Sequence, residues 1–374
     1  LVEYPIATAG KFDDEFLEIP REILITAMRE HQKYFAVIDE SGQLMPHFIA
    51  VNNTRTRDLD LVATGHERVL RARLSDAQFF FRSDVKVSFD PWIEKLEGVL
   101  FQAKLGSMQE KVQRVARLAA HLADAEGLGA GFKARVTRAA QLCKADLVSQ
   151  VVVEFPKLQG VMGRVYAGVA GEPEDVAGAI EEHYRPTYAG GKLPASKTGA
   201  LLAIADKIDS ICGCFSVGLI PTGASDPYAL RRQGIGIVNI MQDKGFGFSL
   251  RELIKKSLEL FKSKGDFDLA EIAEKVHTFI QNRLAHILVE KGFSKDVVGA
   301  VTSAGTENMP HVWLRVKALE DLKGAPDFEP LAAAFKRVVN IIKKNQGGVQ
   351  TQVNEDLFTH ASEKDLLAAF RNVE

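Results

Sequence analysis

The sequence predicts a mainly α-helical protein with a small α+β piece at its N-terminus. Three observations carry that prediction. The apolar pattern is mixed over the first 54 residues and switches to a helical period from Leu61 onward. Glycine and proline breaks at Gly127–Gly131, Pro156, Gly171–Pro173, Pro186–Pro194 and Pro221–Gly223 cut the middle of the chain into helix-sized pieces. At 374 residues the chain exceeds one ordinary core, so two or three domains are expected.

Residues 1–60 read as the trailing part of an α+β domain. Pro20 opens a helix with Ile23, Leu24, Ala27 and Met28 on one face. The β-rich runs Tyr34–Ile38 and Phe48–Val51 flank an Asp39–Gly42 turn and read as a hairpin. Residues 61–245 form an all-helical domain. Its helix over 110–125 carries Val112, Val115, Ala116, Ala119 and Leu122 at helical spacing. Near its end, IPTGASDPYALRRQGIGIVNI places a turn at Ile220–Ser225. There Asp226 reads as an N-cap and Pro227 as the first helical residue, with Arg231 and Arg232 about one turn in.

Residues 246–374 read as three amphipathic helices that need partners. The first carries Leu250, Leu253, Ile254, Leu258 and Phe261, and the second Leu269, Ile272, Val276, Phe279, Ile280, Leu284, Ile287 and Leu288. The third carries Leu331, Phe335, Val338, Val339 and Ile342, and these are expected to pack inward. Lys336, Arg337, Lys343 and Lys344 share its other side. Gly347-Gly348 and the polar run to Glu355 read as a loop.

Composition narrows the function. A net charge of −2 argues against a generally basic nucleic-acid coat, though not against a local basic face. Three cysteines in so long a chain make a disulfide framework unexpected and fit a reducing, cytoplasmic setting. Cys212-Gly213-Cys214 lacks the spacing and partner ligands of a zinc site and reads as small residues in a packed helix. No run of about 18 apolar residues exists, so no membrane span is expected, and no leader is read. Phosphate loops of the GxxxxGK[ST] and GxGxxG types are absent, as is the Gly-x-Ser-x-Gly elbow. Basic residues offer another chemistry, since arginine forks hold RNA phosphates. Arg55, Arg57, Arg68, Arg71, Arg73 and Arg82 fall in one stretch without a lysine.

Several long blocks then resemble one family. LEIPREILITAMREHQKYFAVIDESGQLMPHFIAVNN, GHERVLRARLSDAQFFFRSD, FQAKLGSMQEKVQRVARLA and LCKADLVSQVVVEFPKLQGVMGRVYA occur in order. IEEHYRPTYAGGKLPASKTGALLAIADKIDSI, the 220–240 block and FKRVVNIIKKN follow. Together they resemble the β subunit of bacterial heterotetrameric glycyl-tRNA synthetase from about Leu17 to the C-terminus. Relative to that family the chain looks like an internal piece. It opens LVEYP without Met and stops just after LFTHASEKDLLAAF, before most of an anticodon-binding domain.

The resemblance implies a non-catalytic part of a class II glycine–tRNA ligase, in complexes of two α and two β chains. The α subunit would hold the adenylation site with ATP and Mg, and the β subunit would supply tRNA binding and assembly. No catalytic residue and no cofactor is assigned to this chain. The absence of the strand-borne Arg–Glu pair and second Arg motif of class II sites agrees. KLPASKTG, residues 192–199, faintly resembles a class I signature loop, but the His-Ile-Gly-His partner is missing. A connector into the helix Ala200–Ile208 is expected instead. The candidates for tRNA(Gly) contact are Arg71, Arg73, Arg231, Arg232, Lys336, Arg337, Lys343 and Lys344.

The middle region also resembles an HD-type phosphohydrolase domain, in which His and Asp side chains hold metals that activate water. The matching positions are His121, Asp146, His183 and Asp206. Ala145 stands where the ligand His of the His-Asp pair belongs, and Lys144 puts a cation near the metal position. A degenerate, metal-free scaffold is therefore expected. The alternatives are a metal-dependent HD phosphohydrolase and a stand-alone helical RNA-binding module.

Overall fold

The computed structural model describes residues 2–55, 57–306, 308–344 and 353–372. The side chains of Lys343 and Lys344, and the glycine-containing loop around 347, lie outside the described residues. Leu1–Lys317 forms one compact unit and Ala318–Glu374 a second.

The first unit opens with an antiparallel sheet of β1 (Ile6–Lys11), β2 (Phe35–Ile38) and β3 (Leu44–Asn52), in the order β1-β3-β2. The expected hairpin is β2–β3, pairing Phe35 with Ile49. Its turn is closed by Asp39, whose carboxylate accepts from the Gln43 amide at 2.8 Å, while Gly42 takes φ +81°. Strand β1 was not expected. It pairs Ile6 with Asn52 through Lys11 with His47. A β-carbon at Gly10 would overlap the Phe48 ring, so the bare backbone lets that ring lie across the sheet.

Helix α1 (Arg21–Thr26), continued by a π-helical turn over Ala27–His31, buries Ile23, Leu24, Ala27 and Met28. The long helix α2 (Leu59–Asp84) starts at Asp58, whose carboxylate accepts from the Leu61 amide at 3.0 Å. It is tied to the sheet by His66, 2.8 Å from the Tyr34 hydroxyl and 3.0 Å from Asn52 Oδ1. At its far end the buried Asp84 accepts from the Gln150 and Val151 amides and the Tyr166 hydroxyl at 3.0, 3.0 and 2.7 Å.

After α3 (Phe89–Lys95) and the short pair β4 (Leu100–Gln102) and β5 (Gly106–Ser107), helices make up the rest of the unit. They are α4 (Met108–Ala125), α5 (Ala130–Leu142), α6 (Gln150–Glu154), α7 (Val161–Val169), α8 (Glu174–Glu182) and α9 (Lys197–Ser216). Next come α10 (Leu230–Lys244), α11 (Leu250–Glu259), α12 (Leu269–Glu290), α13 (Lys295–Ser303) and α14 (Met309–Lys323), the last crossing the unit boundary. Helix α4 begins with a capping box between Ser107 and Glu110.

Helix α9 is the axis of this unit, buried nearly from end to end against α4, α5, α8, α10, α11 and α12. Its small residues allow that crowding. A β-carbon at Gly213 would come within 2.8 Å of the Phe261 ring. Cys212 and Cys214 are buried free thiols in this packing, pushed up to about 12 and 11 by burial. The KLPASKTG run is the connector into α9, with the Ser196 side chain accepting from the Gly199 amide at 2.9 Å. Among the described residues no helix is long and apolar enough to cross a membrane.

Two expectations need correction. Pro227 is not the first helical residue, because α10 begins at Leu230 after Ala229 takes a left-handed conformation (φ +52°). Asp226 still caps the helix from further upstream, accepting from the Leu230 and Arg231 amides at 2.8 and 3.0 Å. A turn closed by Ala229 N–H to Asp226 C=O (3.0 Å) fills the interval. Arg231 and Arg232 therefore sit at the very start of the helix.

In the second unit, helix α15 (Phe328–Lys344) does not bury its apolar stripe. Phe335, Val338, Val339 and Ile342 are all exposed. Helical period fixes which residues share a face, but burial also needs a partner. The described residues of this unit, including α16 (Ala361–Arg371) with Leu366 and Phe370 also exposed, supply none.

Candidate functional site

The centre of the first unit is built on a polar interruption in α9. Asp206, Lys207, Asp209 and Ser210 break an otherwise apolar helix. On α4, Lys111 and Arg114 lie one turn apart and face them. Arg114 grips Asp209 with both ends of its fork, Nε to Oδ1 at 2.7 Å and Nη2 to Oδ2 at 3.2 Å. Lys111 Nζ lies 3.1 Å from Asp209 Oδ2, 2.8 Å from the Ser210 hydroxyl and 3.2 Å from Asp206 Oδ1.

Lys144, just after α5, completes the cluster. Its ammonium lies 2.7 Å from His183 Nε2, 3.4 Å from Asp206 Oδ2 and 4.0 Å from the centre of the Tyr184 ring. His183 follows α8 and donates from Nδ1 to the Ile180 carbonyl at 2.6 Å, which leaves Nε2 to accept from Lys144. Burial, reinforced by Lys144, holds the His183 imidazole well below its usual range, so it is neutral. Next to it, Glu182 accepts from the Ala195 and Ser196 amides, both at 3.0 Å, and fixes the approach to α9. For Asp206, burial pushes the carboxyl up, but Lys111 and Lys144 outweigh it and keep it well below the carboxylate range. Lys207 donates to the His183 carbonyl at 2.9 Å, and burial pulls it down to about 7 against the attraction of Asp206.

The four HD-type positions meet different fates. His183 and Asp206 come together, but the Lys144 ammonium lies between them, where a metal ion would have to sit. Asp146 is buried one step away and does structural work. Its Oδ2 accepts from the Gly160 and Gly163 amides at 2.6 and 3.0 Å, at the start of α7. Burial pushes its carboxyl up to about 6 despite these bonds. His121 is half-buried on α4, ten residues and so about 15 Å along the helix from Lys111. Among the described residues no group of three or more His, Cys, Asp and Glu is placed to hold a metal ion. A resident ammonium in the ligand set does not fit a divalent cation.

The basic candidates are scattered. Arg71 is engaged by Asp13, with Nε 3.2 Å from Oδ2. Arg73 is exposed on the same helix, α2. Arg231 is half-buried, whereas Arg232 faces a cavity of about 370 Å³ beside His183 and Asp206. Lys336 and Arg337 are exposed on α15. Lys111, Arg114, Lys207 and Asp209 were missed by sequence reasoning. The available signal was the run Asp206–Ser210, polar residues set inside ALLAIADKIDSICGCF.

A family model described as glycyl-tRNA synthetase beta subunit matches residues 1–303. The chain belongs to the glycyl-tRNA synthetase β-subunit family. It is 55% identical to the glycine–tRNA ligase β subunit of Desulfatibacillum aliphaticivorans, with all of this chain and 54% of the relative covered. The counterpart in Desulforapulum autotrophicum is 55% identical over 98% of this chain and 53% of its own. That of Geobacter sulfurreducens is 51% identical over all of this chain and 53% of its own. The chain thus spans about half the length of the curated relatives it matches. Nothing in these comparisons supports the phosphohydrolase alternative.

Proposed function

We propose that this chain serves as the β-subunit portion of a glycine–tRNA ligase, contributing tRNA binding and assembly and no catalytic group. The α subunit would carry the ATP- and Mg-dependent adenylation site, in cytoplasmic complexes of two α and two β chains. One observation carries the reading: the family match runs over most of the chain, at 51–55% identity to proteins named as that subunit. The metal position filled by Lys144 supports a scaffold rather than a phosphohydrolase. The exposed Arg73, Arg232, Lys336 and Arg337 remain the favoured RNA contacts, joined by Arg71, Arg231, Lys343 and Lys344 as candidates.

Mixing the full-length protein with its α subunit tests this reading. Glycine should be attached to tRNA(Gly) only when both chains are present. The chain alone should show no glycine-dependent pyrophosphate exchange, and exchange by the purified chain would overturn its non-catalytic role.

A further inference from the structure

The cleft beside the α9 cluster presents more positive charge than its ion pairs use. The cavity of about 370 Å³ is walled in part by Lys157, Lys207, Arg232, Gln159 and Tyr184, with His183 and Asp206 also lining it. That volume falls within the range of small-molecule sites and suits a phosphate with a nucleoside attached. Lys157 is engaged by Glu30 at 2.8 Å. Arg232 is exposed and makes no hydrogen bond or ion pair among the described residues. Lys207 is only 5% exposed, yet its bond to the His183 carbonyl leaves two of its three N–H donors uncommitted. The Tyr184 hydroxyl is buried without a hydrogen-bond partner among the described residues.

Charge behind this wall adds to the imbalance. Buried Lys111, Arg114 and Lys144 behind it, with buried Lys207 in it, stand against Asp206 and Asp209, or against three carboxylates if Asp146 is included, and Arg232 adds an exposed cation at the rim. His183, which accepts from Lys144, is neutral and adds no charge. Space for the lysine is built into the facing helix. A β-carbon at Gly236 would come within 3.1 Å of Lys207 Cε and 3.3 Å of the Pro186 ring. Buried cations in excess of their carboxylates call for an anion, and an arginine fork beside an ammonium matches the several oxygens of a phosphate.

We propose that this cleft is a phosphate-binding site, with Arg232 and Lys207 as its ligands and the Lys144–His183–Asp206 group as its floor. The phosphate comes from a free mononucleotide or from an RNA strand. The RNA arm rests on the ligase-subunit reading, which already counts Arg232 among its tRNA contacts, but phosphate and AMP binding are measured without aminoacylation, so the two can fail separately.

Calorimetric titration of the protein with inorganic phosphate and with AMP tests it. Saturable binding of either is expected, weakened about tenfold by Arg232→Gln, which removes one charge-assisted contact at an exposed position. Lys207→Met should weaken binding likewise, and an unchanged melting transition for Arg232→Gln separates lost binding from lost folding. Displacement of bound AMP by tRNA assigns the phosphate to RNA. Simultaneous binding of AMP and tRNA assigns it to a free nucleotide, and either result supports the site. No saturable binding of phosphate or AMP up to roughly 10 mM, or equal binding by parent and Arg232→Gln, overturns the proposal.

Discussion

Two regions of this chain concentrate basic residues, and they treat them in opposite ways. Around α9, Lys111, Arg114 and Lys144 are buried, and each is bonded to a named carboxylate, hydroxyl or imidazole. On α15, Lys336 and Arg337 are exposed, and so is the apolar stripe on the same helix. A buried ion cluster is coupled to folding, because a lost partner leaves a charge stranded in low dielectric. An exposed basic helix is almost uncoupled from folding and is free to meet something else. Lysines and arginines that look alike in the sequence therefore carry different meanings.

The largest expected effect follows from that coupling. Asp209→Ala would leave Lys111 and Arg114 facing a cavity, and should cost about 3–5 kcal/mol in urea unfolding. Lys336→Ala in the same assay should stay within about 0.5 kcal/mol. If the two variants unfold at the same urea concentration, the contrast between the regions is wrong.

A second test uses pH. The Asp146 carboxyl is pushed up to about 6 in the fold from an ordinary value of 3.8. Folding therefore favours its protonated form. The stability this contributes is fully present below the ordinary value and is lost as pH rises through about 6, on the order of 3 kcal/mol for a group this buried. Lys207 has the opposite sign. Pulled down to about 7, it costs stability below that pH, and the cost is relieved as pH rises further toward its usual range. Asp146→Asn should flatten the loss between about pH 4 and 6 and leave the alkaline behaviour intact. Unfolding midpoints collected across that range decide it, and an unchanged acid limb in the variant would show that another group titrates there.

The sequence made the helices legible and left most of the centre hidden, for a physical reason. Apolar stripes such as Leu253, Ile254 and Leu258 are local, and they are buried as expected. The Arg114–Asp209 fork joins residues 95 positions apart, and no local pattern announces it. Lys144 was legible only as a cation near a metal position. Its bond to His183 depends on how α5 and α8 pack. Strand β1 escaped notice because Ile6–Lys11 is rich in small residues, including the Gly10 that makes room for Phe48. On α15 the period identified a helix but could not say what covers its apolar side.

A smaller effect is expected at the start of α10. Asp226 holds two amides that would otherwise be unsatisfied, those of Leu230 and Arg231. Asp226→Ala should cost about 1 kcal/mol, like the loss of an ordinary cap. Asp226→Asn keeps an acceptor and should recover much of that loss. If both variants melt like the parent, the carboxylate is not what fixes the helix start that carries Arg231 and Arg232.

The smallest stability effect, and the sharpest test of the opening comparison, lies on α15. Replacing Lys336, Arg337, Lys343 and Lys344 with Ala should shift the unfolding free energy by no more than about 0.5 kcal/mol, as expected for surface charges such as the exposed Lys336 and Arg337. Affinity for tRNA in the full-length protein should nevertheless fall. Phosphate contacts release counterions, so each one lost should also lower the slope of log affinity against log salt by roughly 0.7 to 0.9. Measuring tRNA binding at several salt concentrations separates the possibilities. A weaker affinity with a flatter slope places phosphate contacts on this helix. An unchanged affinity at every salt concentration makes α15 a solvated surface, and the search for RNA contacts moves to Arg232 at the cleft and Arg73 on α2.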